Sequence, residues 1–284
     1  LVSAKRLTWA ADVELLGDPA KALGEWAPGA RVGLVGGLAM QSSLREALAK
    51  QAVLVDVDEA VEQQMLMKRP RERTLLLEAA RLLTLGERAL REAHASGESV
   101  TAAVLAAEHA MHRAGAQDAQ TLFSLDGGKT LRPFEGLLGA TSDPLQAYMA
   151  VRHAGYWAAG YIRAVRNHDA AGETAKRALQ AMLAAASIGV PGRALLEAAK
   201  RSLLPEWQVH PLVVDCAGGS IGTALESASL RDDSEQTLRA GAVYLIQAGV
   251  QEDTKAGGAH ALASAMVAID SRGNTLIWQE GMKS

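Results

Sequence analysis

The clearest pattern of hydrophobic and polar positions lies between residues 143 and 165. Apolar residues alternate with polar or small ones from Leu145 to Arg152, which is the period of a β-strand with two different faces. Ala154 and Gly155 then suggest a tight turn, and an apolar, aromatic run resumes at Tyr156. The pattern predicts an antiparallel β-hairpin.

The part of the chain before residue 68 has an α/β pattern. It predicts a short buried strand at 31–36, a helix at 42–50 and a second strand at 52–57. The glycines at 33–37 lack the full spacing of a dinucleotide-binding loop and the lysine of a phosphate-binding loop. We therefore interpret them as a strand-to-helix turn.

Helical periodicity predicts two pairs of helices, one on each side of the hairpin. In the first pair, one helix begins at Pro70 and the next is capped by Ser99. The second pair covers residues 169–187 and 191–203. The two pairs are weakly similar to each other, which fits a domain built from two helix-helix-strand halves.

The last quarter of the chain is predicted to form strands. A convincing hairpin turn is expected at residues 271–274. The strands correspond to runs of apolar or β-branched residues at 212–214, 242–246, 262–269 and 275–278.

Composition restricts the class of protein. The chain has 284 residues and 49% hydrophobic content, which is ordinary for one large globular domain or two smaller ones. A net charge of -3 gives no nucleic-acid-binding footprint, and no apolar run is long enough to span a membrane. The single cysteine, Cys216, excludes an internal disulfide, so we expect a cytoplasmic protein. Because the chain starts with leucine, we also expect that an N-terminal piece is missing.

The hairpin resembles the central hairpin of the pita-bread superfamily, which includes creatinase, aminopeptidase P, prolidase and methionine aminopeptidase. In that superfamily an aspartate on the first strand and another after a Gly-Tyr pair bind divalent metal. Aligned on Gly155-Tyr156-Trp157, these two positions hold Tyr148 and Ala159. The stretch 238–243 is also similar to a Leu-Arg-Pro-Gly-Met-Val segment of the superfamily, and 68–72 to its Lys-x-Pro-x-Glu opening.

The resemblance assigns three further metal-ligand positions. The histidine of a Gly-His-Gly-Ile-Gly motif is replaced by Gly219, and two glutamates are replaced by Gln247 and Ser264. None of these residues, nor Tyr148 and Ala159, is a good ligand for a hard cation. We therefore expect no metal and no other cofactor. Creatinase, a member that works without metal, shows that this does not exclude catalysis.

The fold class implied by the resemblance is α/β (α+β). Residues 1–68 are expected to be a partial creatinase-type N-terminal α/β domain, and residues 69–284 a pita-bread domain with pseudo-twofold helix-helix-strand halves. The resemblance also implies a homodimer and a small-molecule substrate.

Candidate functional residues cluster near the expected metal cleft. Tyr148, His153 and Tyr161 are candidate acid–base residues, because a tyrosine or histidine can transfer a proton. The predicted substrate-binding residues on the hairpin are Arg152, Tyr156 and Arg163. The alternative is that the aromatic side chains fill the space that ions and water occupy elsewhere.

A second group of candidates follows the second helix pair. Asp215 and Cys216, with His210 nearby, could form a nucleophile with its base, but a lone cysteine is more often a small buried residue. The glycines at 218–222 could form an anion nest or only a sharp strand connection. The remaining predicted substrate-binding residues are Ser220, Gln247, His260, expected in a loop, and Ser264.

Two functions are compatible with this sequence. The first is a metal-independent enzyme that acts on a small polar substrate by hydrolysis or elimination. The second is a non-catalytic pseudo-peptidase that serves as a binding protein or a partner subunit. Few converging polar groups in the cleft would favour the second, and an enclosed pocket with paired titratable groups would favour the first.

Overall fold

The chain divides into two compact units. The computed structural model describes residues 17–133, 139–225, 227–254 and 258–282, without the side chains of residues 227 and 228. The division between the units falls between Gln64 and Met65. The assignment of residues 1–68 to a creatinase-type domain stays a prediction.

The first unit contains a parallel pair of strands with short helices around it. Arg31 lies opposite Val53 in this pair. After the first strand, the Gly36 amide donates a hydrogen bond to Asp58 Oδ1 at 2.6 Å, within a turn that leads towards the next helix, as predicted. The elements are α1 (Pro19–Trp26), β1 (Arg31–Leu34), α2 (Ser42–Ala49), β2 (Val53–Asp56) and α3 (Asp58–Leu66).

The second unit contains two antiparallel sheets and two pairs of helices. Its helices are α4 (Pro70–Ala95), α5 (Val100–Arg113), α6 (Ala170–Ala185) and α7 (Gly192–Ser202). Its strands are β3 (Asp118–Phe123), β4 (Arg132–Pro133), β5 (Leu145–His153), β6 (Tyr156–Ala164), β7 (Trp207–Val209), β8 (Cys216–Ser220), β9 (Ser227–Arg231), β10 (Val243–Glu252), β11 (His260–Ala268) and β12 (Thr275–Gln279).

Each sheet packs against its own pair of helices. One sheet has the order β4-β3-β5-β6, and its core includes apolar residues of α4 and α5. The other has the order β12-β11-β10-β8-β9, with β7 also paired to β10, and one of its faces packs on α6 and α7. Strand β6 contacts β11, so the two sheets meet at these two strands. This arrangement has the predicted helix-helix-strand halves.

Local sequence signals explain where the elements begin and end. Ser99 Oγ accepts the Ala102 amide at the start of α5, which confirms the predicted cap. Ala154 and Gly155 have φ angles of 47° and 85°, as a two-residue turn between β5 and β6 requires. None of the described helices is both long and apolar enough to cross a membrane.

The predicted strand at 212–214 is wrong. Residues Pro211–Val213 form a short 3₁₀ helix instead. Pro211 suits the first helical position, and His210 Nδ1 accepts the Leu212 amide at 3.1 Å, so the local cap chemistry outweighs the β-branched composition.

The expected loop position of His260 is also wrong, because His260 is the first residue of β11 and only 9% exposed. The alternation in β5 does not mark an exposed face either. All seven residues at 145–151 are buried, because one face packs on helices and the other faces the second sheet.

The junction of the two sheets predicts a strict requirement for glycine at position 160. A Cβ there would lie 1.9 Å from Cζ3 of the buried Trp278. We expect Gly160→Ala to lower the free energy of unfolding by about 1–3 kcal/mol through overpacking. Urea denaturation followed by circular dichroism measures the change.

Gly139→Ala is the matched control, because no atom lies within 4 Å of its Cβ position. Its effect should stay within about 0.5 kcal/mol. Equal stability of the two variants would contradict the packing described here.

Candidate functional site at the junction of the two sheets

The residues predicted to replace metal ligands lie on strands that meet at this junction. In the β5–β6 ladder Tyr148 pairs with Tyr161. Ala159 is two residues before Tyr161 on β6, so all three side chains lie on the same face of the sheet. In the second sheet Gln247 on β10 lies directly opposite Ser264 on β11. Four of the predicted metal-ligand positions therefore lie on two pairs of strands, β5–β6 in one sheet and β10–β11 in the other.

Tyr161 connects these strands through hydrogen bonds. Its backbone amide donates to Ser264 Oγ at 2.8 Å, and its hydroxyl lies 3.4 Å from Gln247 Oε1. Gln247 Nε2 in turn donates to the Cys216 carbonyl at 3.3 Å, which extends the connection to β8. We call Tyr161, Ser264 and Gln247 the junction network.

Aromatic bulk fills the space beside the junction network. The rings of Tyr148 and Tyr161 lie 5.3 Å apart between centroids, tilted by 59°. They are 9% and 8% exposed. This tight packing agrees with the interpretation that large aromatic side chains fill the cleft. Their predicted acid–base roles stay predictions.

Comparisons with known proteins identify the architecture. No family model matches the chain, and no curated protein matches it. Among solved structures, the prolidase from Pyrococcus furiosus superposes with a TM-score of 0.76 at 14% identity, over 99% of this chain and 85% of that one. The X-Pro aminopeptidase from Thermotoga maritima MSB8 gives a TM-score of 0.75 at 14% identity, over 97% and 82%. The chain has the pita-bread fold.

A third solved structure agrees with the first two. The Xaa-Pro dipeptidase from Bacillus anthracis gives a TM-score of 0.74 at 16% identity, over 93% of this chain and 76% of that chain. At such low identity the likeness shows the fold alone.

The residues at the predicted metal-ligand positions are poor ligands for a divalent cation. The positions predicted to correspond to metal ligands hold two uncharged oxygen-bearing side chains, one phenol, one methyl group and one glycine. Hard cations need several carboxylate or comparable donors, and zinc needs imidazole, thiolate or carboxylate. Over the described ranges, no group of three or more His, Cys, Asp or Glu side chains is placed to hold a metal ion.

The side chain of Arg163, a predicted substrate-binding residue, forms its hydrogen bonds with other residues of the protein. Its Nε and Nη2 atoms bind the two carboxylate oxygens of Asp169 at 2.6 and 2.9 Å. Its Nη1 donates to Gln146 Oε1 at 3.2 Å and to the Gly127 carbonyl at 3.3 Å. Burial raises the pKa of Asp169, but the hydrogen bonds and charge of Arg163 outweigh burial and lower this pKa overall. These contacts give Arg163 a clear structural role.

Gln146 is the residue that the sequence interpretation missed. Its Oε1 also accepts the Leu262 amide at 3.1 Å, and its Nε2 donates to the Ile162 carbonyl at 3.2 Å. It therefore connects β5, β6 and β11 near the junction network. A signal was present, because Gln146 is polar within an apolar strand and two residues from Tyr148 on the same face.

His210 and His260 form a buried pair beside the loop that carries Gly128. Their rings pack edge to face with centroids 5.3 Å apart. His210 Nδ1 accepts the Leu212 amide, so its Nε2 carries the proton and donates to the Gly128 carbonyl at 3.1 Å. Burial and then the neighbouring His260 lower the pKa of His210 to about 4.

Burial also favours the neutral form of His260, but one of its ring nitrogens has no hydrogen bond among the described residues. Burial and then Lys129 lower its pKa, while Asp126 opposes them and Arg163 adds to them. Its Nδ1 is buried without a hydrogen-bond partner among the residues that the structure describes. This nitrogen can therefore accept a proton or a hydrogen bond.

The residues at the hairpin turn are not brought to the junction network. His153 pairs with Tyr156, five residues before Tyr161, which corresponds to about 16 Å along a strand. The Tyr156 hydroxyl donates to Glu72 at 2.9 Å, and Arg152 lies over the Trp157 ring at 5.3 Å. Burial and then Glu72 raise the pKa of Tyr156.

The group around Cys216 has contacts that are structural in character. The thiol donates to the Gly218 carbonyl at 3.3 Å, and the Asp215 carbonyl accepts the Asp232 amide at 2.9 Å. Ser220 pairs with Tyr244, which packs towards α6 and α7, so Ser220 lies on the face turned away from Gln247. The predicted roles of Asp215, Cys216 and Ser220 stay predictions.

Gly218 and Gly219 have a structural explanation in the sheet. Gly218 has a φ of 132°, and a Cβ there would lie 1.9 Å from the Leu245 carbonyl oxygen on β10. Gly219 pairs with Leu245 in the same ladder. The glycines therefore allow close approach of two strands, which favours the sharp strand connection over an anion nest.

The junction network predicts an order of effects on stability. Ser264→Ala removes the buried hydroxyl that accepts the Tyr161 amide, and we expect a loss of about 1–3 kcal/mol. Tyr161→Phe removes the hydroxyl that makes the longer 3.4 Å contact with Gln247, and we expect a loss of at most about 1 kcal/mol. Urea denaturation of both variants measures the difference.

Ser96→Ala serves as the control, since Ser96 is exposed and bonds only within its own helix end at 2.9 Å. A Ser264→Ala variant as stable as the control would show that the amide contact contributes nothing.

The histidine pair predicts a loss of stability in acid. The lowered pKa means that the folded protein resists protonation of His210, whereas the unfolded chain takes up the proton near pH 6.5. The stability linked to neutral His210 is therefore complete above about pH 6.5 and decreases as the pH falls towards about 4. His210→Asn keeps a capping side chain and should flatten this decrease, measured by urea midpoints across the range.

His168→Asn, at an exposed histidine, is the matched control and should leave the decrease unchanged. His260 faces the same site and also has a lowered pKa, so part of the decrease should persist in His210→Asn. If His210→Asn follows the wild-type curve, His210 is not the titrating group.

Proposed function

We propose that this protein is a metal-independent, non-catalytic relative of the pita-bread peptidases that acts as a binding protein or partner subunit. One observation carries the proposal. In place of an open set of charged ligands, the centre of the cleft holds the junction network, whose polar groups bond to one another across the two sheets. Beside the packed rings of Tyr148 and Tyr161, Tyr161 and Ser264 are only 8% and 1% exposed, whereas Gln247 is partly exposed.

The chemistry of these groups supports the proposal. Hydrolysis without metal requires a base that activates water or a nucleophile with an adjacent base. Gln247 cannot exchange a proton near neutral pH, and Ser264 already accepts the Tyr161 amide. The Cys216 thiol donates a hydrogen bond to the Gly218 carbonyl and not to a histidine. We expect a homodimer from the resemblance, and from the single cysteine and the net charge of -3 a cytoplasmic protein that does not bind nucleic acid.

A second candidate function is a metal-independent hydrolase or lyase that acts on a small polar molecule. His260 favours it, because a neutral histidine with an unpartnered ring nitrogen is suited to be a general base. Lys129 and Arg163 affect its electrostatic environment and would favour an anionic substrate group nearby. In this case Tyr148 and Tyr161 would line the substrate-binding cleft without taking part in the reaction.

Metal analysis with a peptidase assay tests the shared part of both candidates. We expect purified protein to carry far less than one equivalent of manganese, cobalt, zinc or iron, and to leave Xaa-Pro dipeptides intact with any of these metals added. The prolidase from Pyrococcus furiosus, assayed in parallel, is the positive control. Stoichiometric metal, with dipeptide hydrolysis that a chelator abolishes, would overturn both candidates.

A substrate screen separates the two candidates. The non-catalytic proposal expects no turnover of small amides, amidines or hydroxy acids by the wild-type protein. Turnover that His260→Asn abolishes, without a change in melting temperature, would establish the enzyme instead. His168→Asn would then have to retain full activity, because this histidine is exposed and lies in the connection between β6 and α6.

A further inference from the structure

Two buried carboxyl groups lie where the chain leaves β12, outside the junction network. Glu280 directly follows β12, and Glu87 lies within α4. Each of these side chains is only 5% exposed. Glutamate is rarely buried to this extent unless a cation pairs with it, so the partners of the two groups decide their charge.

One guanidinium group binds both carboxyl groups. Arg91 Nε donates to Glu87 Oε1 at 3.1 Å, and Arg91 Nη2 donates to Glu280 Oε1. The Gly281 amide also donates to Glu87 Oε1, at 2.8 Å. The Arg163 amide donates to Glu280 Oε1 at 2.6 Å. We call Glu87, Arg91 and Glu280 the carboxyl cluster.

The charges of the carboxyl cluster do not balance when both acids are ionised. Arg91 then contributes one positive charge against two negative ones. Glu87 Oε2 is buried and has no hydrogen-bond partner among the residues that the structure describes. A buried excess of negative charge is costly, and binding one proton removes it.

The other charged groups around the carboxyl cluster have partners of their own. The Arg163 guanidinium binds both carboxylate oxygens of Asp169, at 2.6 and 2.9 Å. The exposed cations beside the cluster form ion pairs on their own helices: Arg88 with Glu92 at 3.9 Å on α4, and Lys176 with Glu173 at 3.8 Å on α6. Because water screens exposed cations, they balance a buried charge only weakly.

The environment of Glu280 favours its neutral form. Burial is the largest influence, and it raises the pKa of this group. Arg91, the Arg163 amide and Lys176 lower the pKa, in that order. Glu87 raises it, and the overall result is a raised pKa.

We propose that Glu280 holds a proton in the folded protein, and that loss of this proton releases the segment 280–282 from α4. With the proton in place, one carboxylate faces one guanidinium and both amides keep their acceptors. When Glu280 ionises, this segment moves and takes the second charge into water, because Gly281 and Met282 are already exposed. The segment is thus a pH-sensitive latch. The latch goes beyond the function proposed above and does not rest on it.

The direction of the pH effect follows from the raised pKa. An exposed glutamate loses its proton near about pH 4.3, whereas Glu280 in the closed latch keeps its proton to a higher pH. Closure is therefore fully favoured below about pH 4.3 and weakens as the pH rises through the raised pKa. The histidine pair affects overall stability in the opposite direction, so the latch is measured locally.

Amide hydrogen exchange of the full chain, followed by NMR, tests the latch. The amides of Gly281 and Arg163 report on it, because they donate to the two carboxyl groups. After correction for the intrinsic exchange rate, their protection should fall by up to about tenfold per pH unit above about pH 5, until it levels off. In Glu280→Gln, which cannot ionise, the change should stay below about twofold.

Two further variants separate charge from shape. Glu87→Gln removes the other negative charge, so Arg91 can balance an ionised Glu280, and the pH dependence should be reduced as well. Glu197→Gln, at an exposed position on α7, is the control and should keep the wild-type pH dependence. If Glu280→Gln does not fold, Glu87→Gln decides.

The urea midpoint near about pH 5.5, above the ordinary pKa of glutamate, gives a second test. A protonated Glu280 predicts that Glu280→Gln has the same midpoint as the wild type or a higher one. A lower midpoint would show an ionised Glu280 paired with Arg91, and would overturn the proposal. Equal pH dependence of amide protection in wild type and Glu280→Gln would also overturn it. Either result leaves the metal and peptidase assays of the cleft unaffected, so the two proposals fail separately.

Discussion

The hydrogen bond from the Tyr161 amide to Ser264 Oγ is the contact on which the arrangement of the second unit depends. Tyr161 lies on β6 of the first sheet and Ser264 on β11 of the second. Each sheet has its own ladder and its own pair of helices, and the two sheets also share an apolar core to which Leu245 and Trp278 contribute. A short polar contact where the edge strand β6 meets β11 satisfies a backbone donor that would otherwise be buried without an acceptor. Gln146 and Trp278 support the same junction from either side of β6.

The same contact relates the fold to the proposed function. Here direct bonds and aromatic packing connect the strands, through Tyr161, Gln247 and Tyr148. A cleft that is filled in this way keeps the shape of the fold without the charged groups that activate water. The proposed binding role rests on this arrangement.

Much of the fold could be predicted from the sequence, because its signals are local. The β5–β6 hairpin follows from alternation and from Ala154-Gly155, and α5 follows from the Ser99 cap. The short strands β7, β8 and β9 were not predicted, since β8 is rich in glycine and its pairing depends on distant partners. The run at 212–214 was assigned wrongly, because a cap from His210 decided its conformation.

The candidate site was predictable only in part, for a related physical reason. Alignment to a known motif placed Tyr148, Gln247 and Ser264 on strands that do meet. The binding partners of Arg163 could not be foreseen, because Asp169 and Gln146 reach it through the packing of three different elements. The contact of the Gly281 amide with Glu87 was also missed, since the two residues lie almost two hundred positions apart in the sequence.

The burial of Ser264 has an evolutionary consequence. Only 1% of this residue is exposed, and its hydroxyl is already bonded to the neighbouring strand. A mutation that introduced one glutamate here would place an uncompensated charge in the interior before any ion could neutralise it. Only a second substitution that supplied a compensating cation nearby would make such a charge tolerable. Burial alone therefore selects against acidic residues at this position.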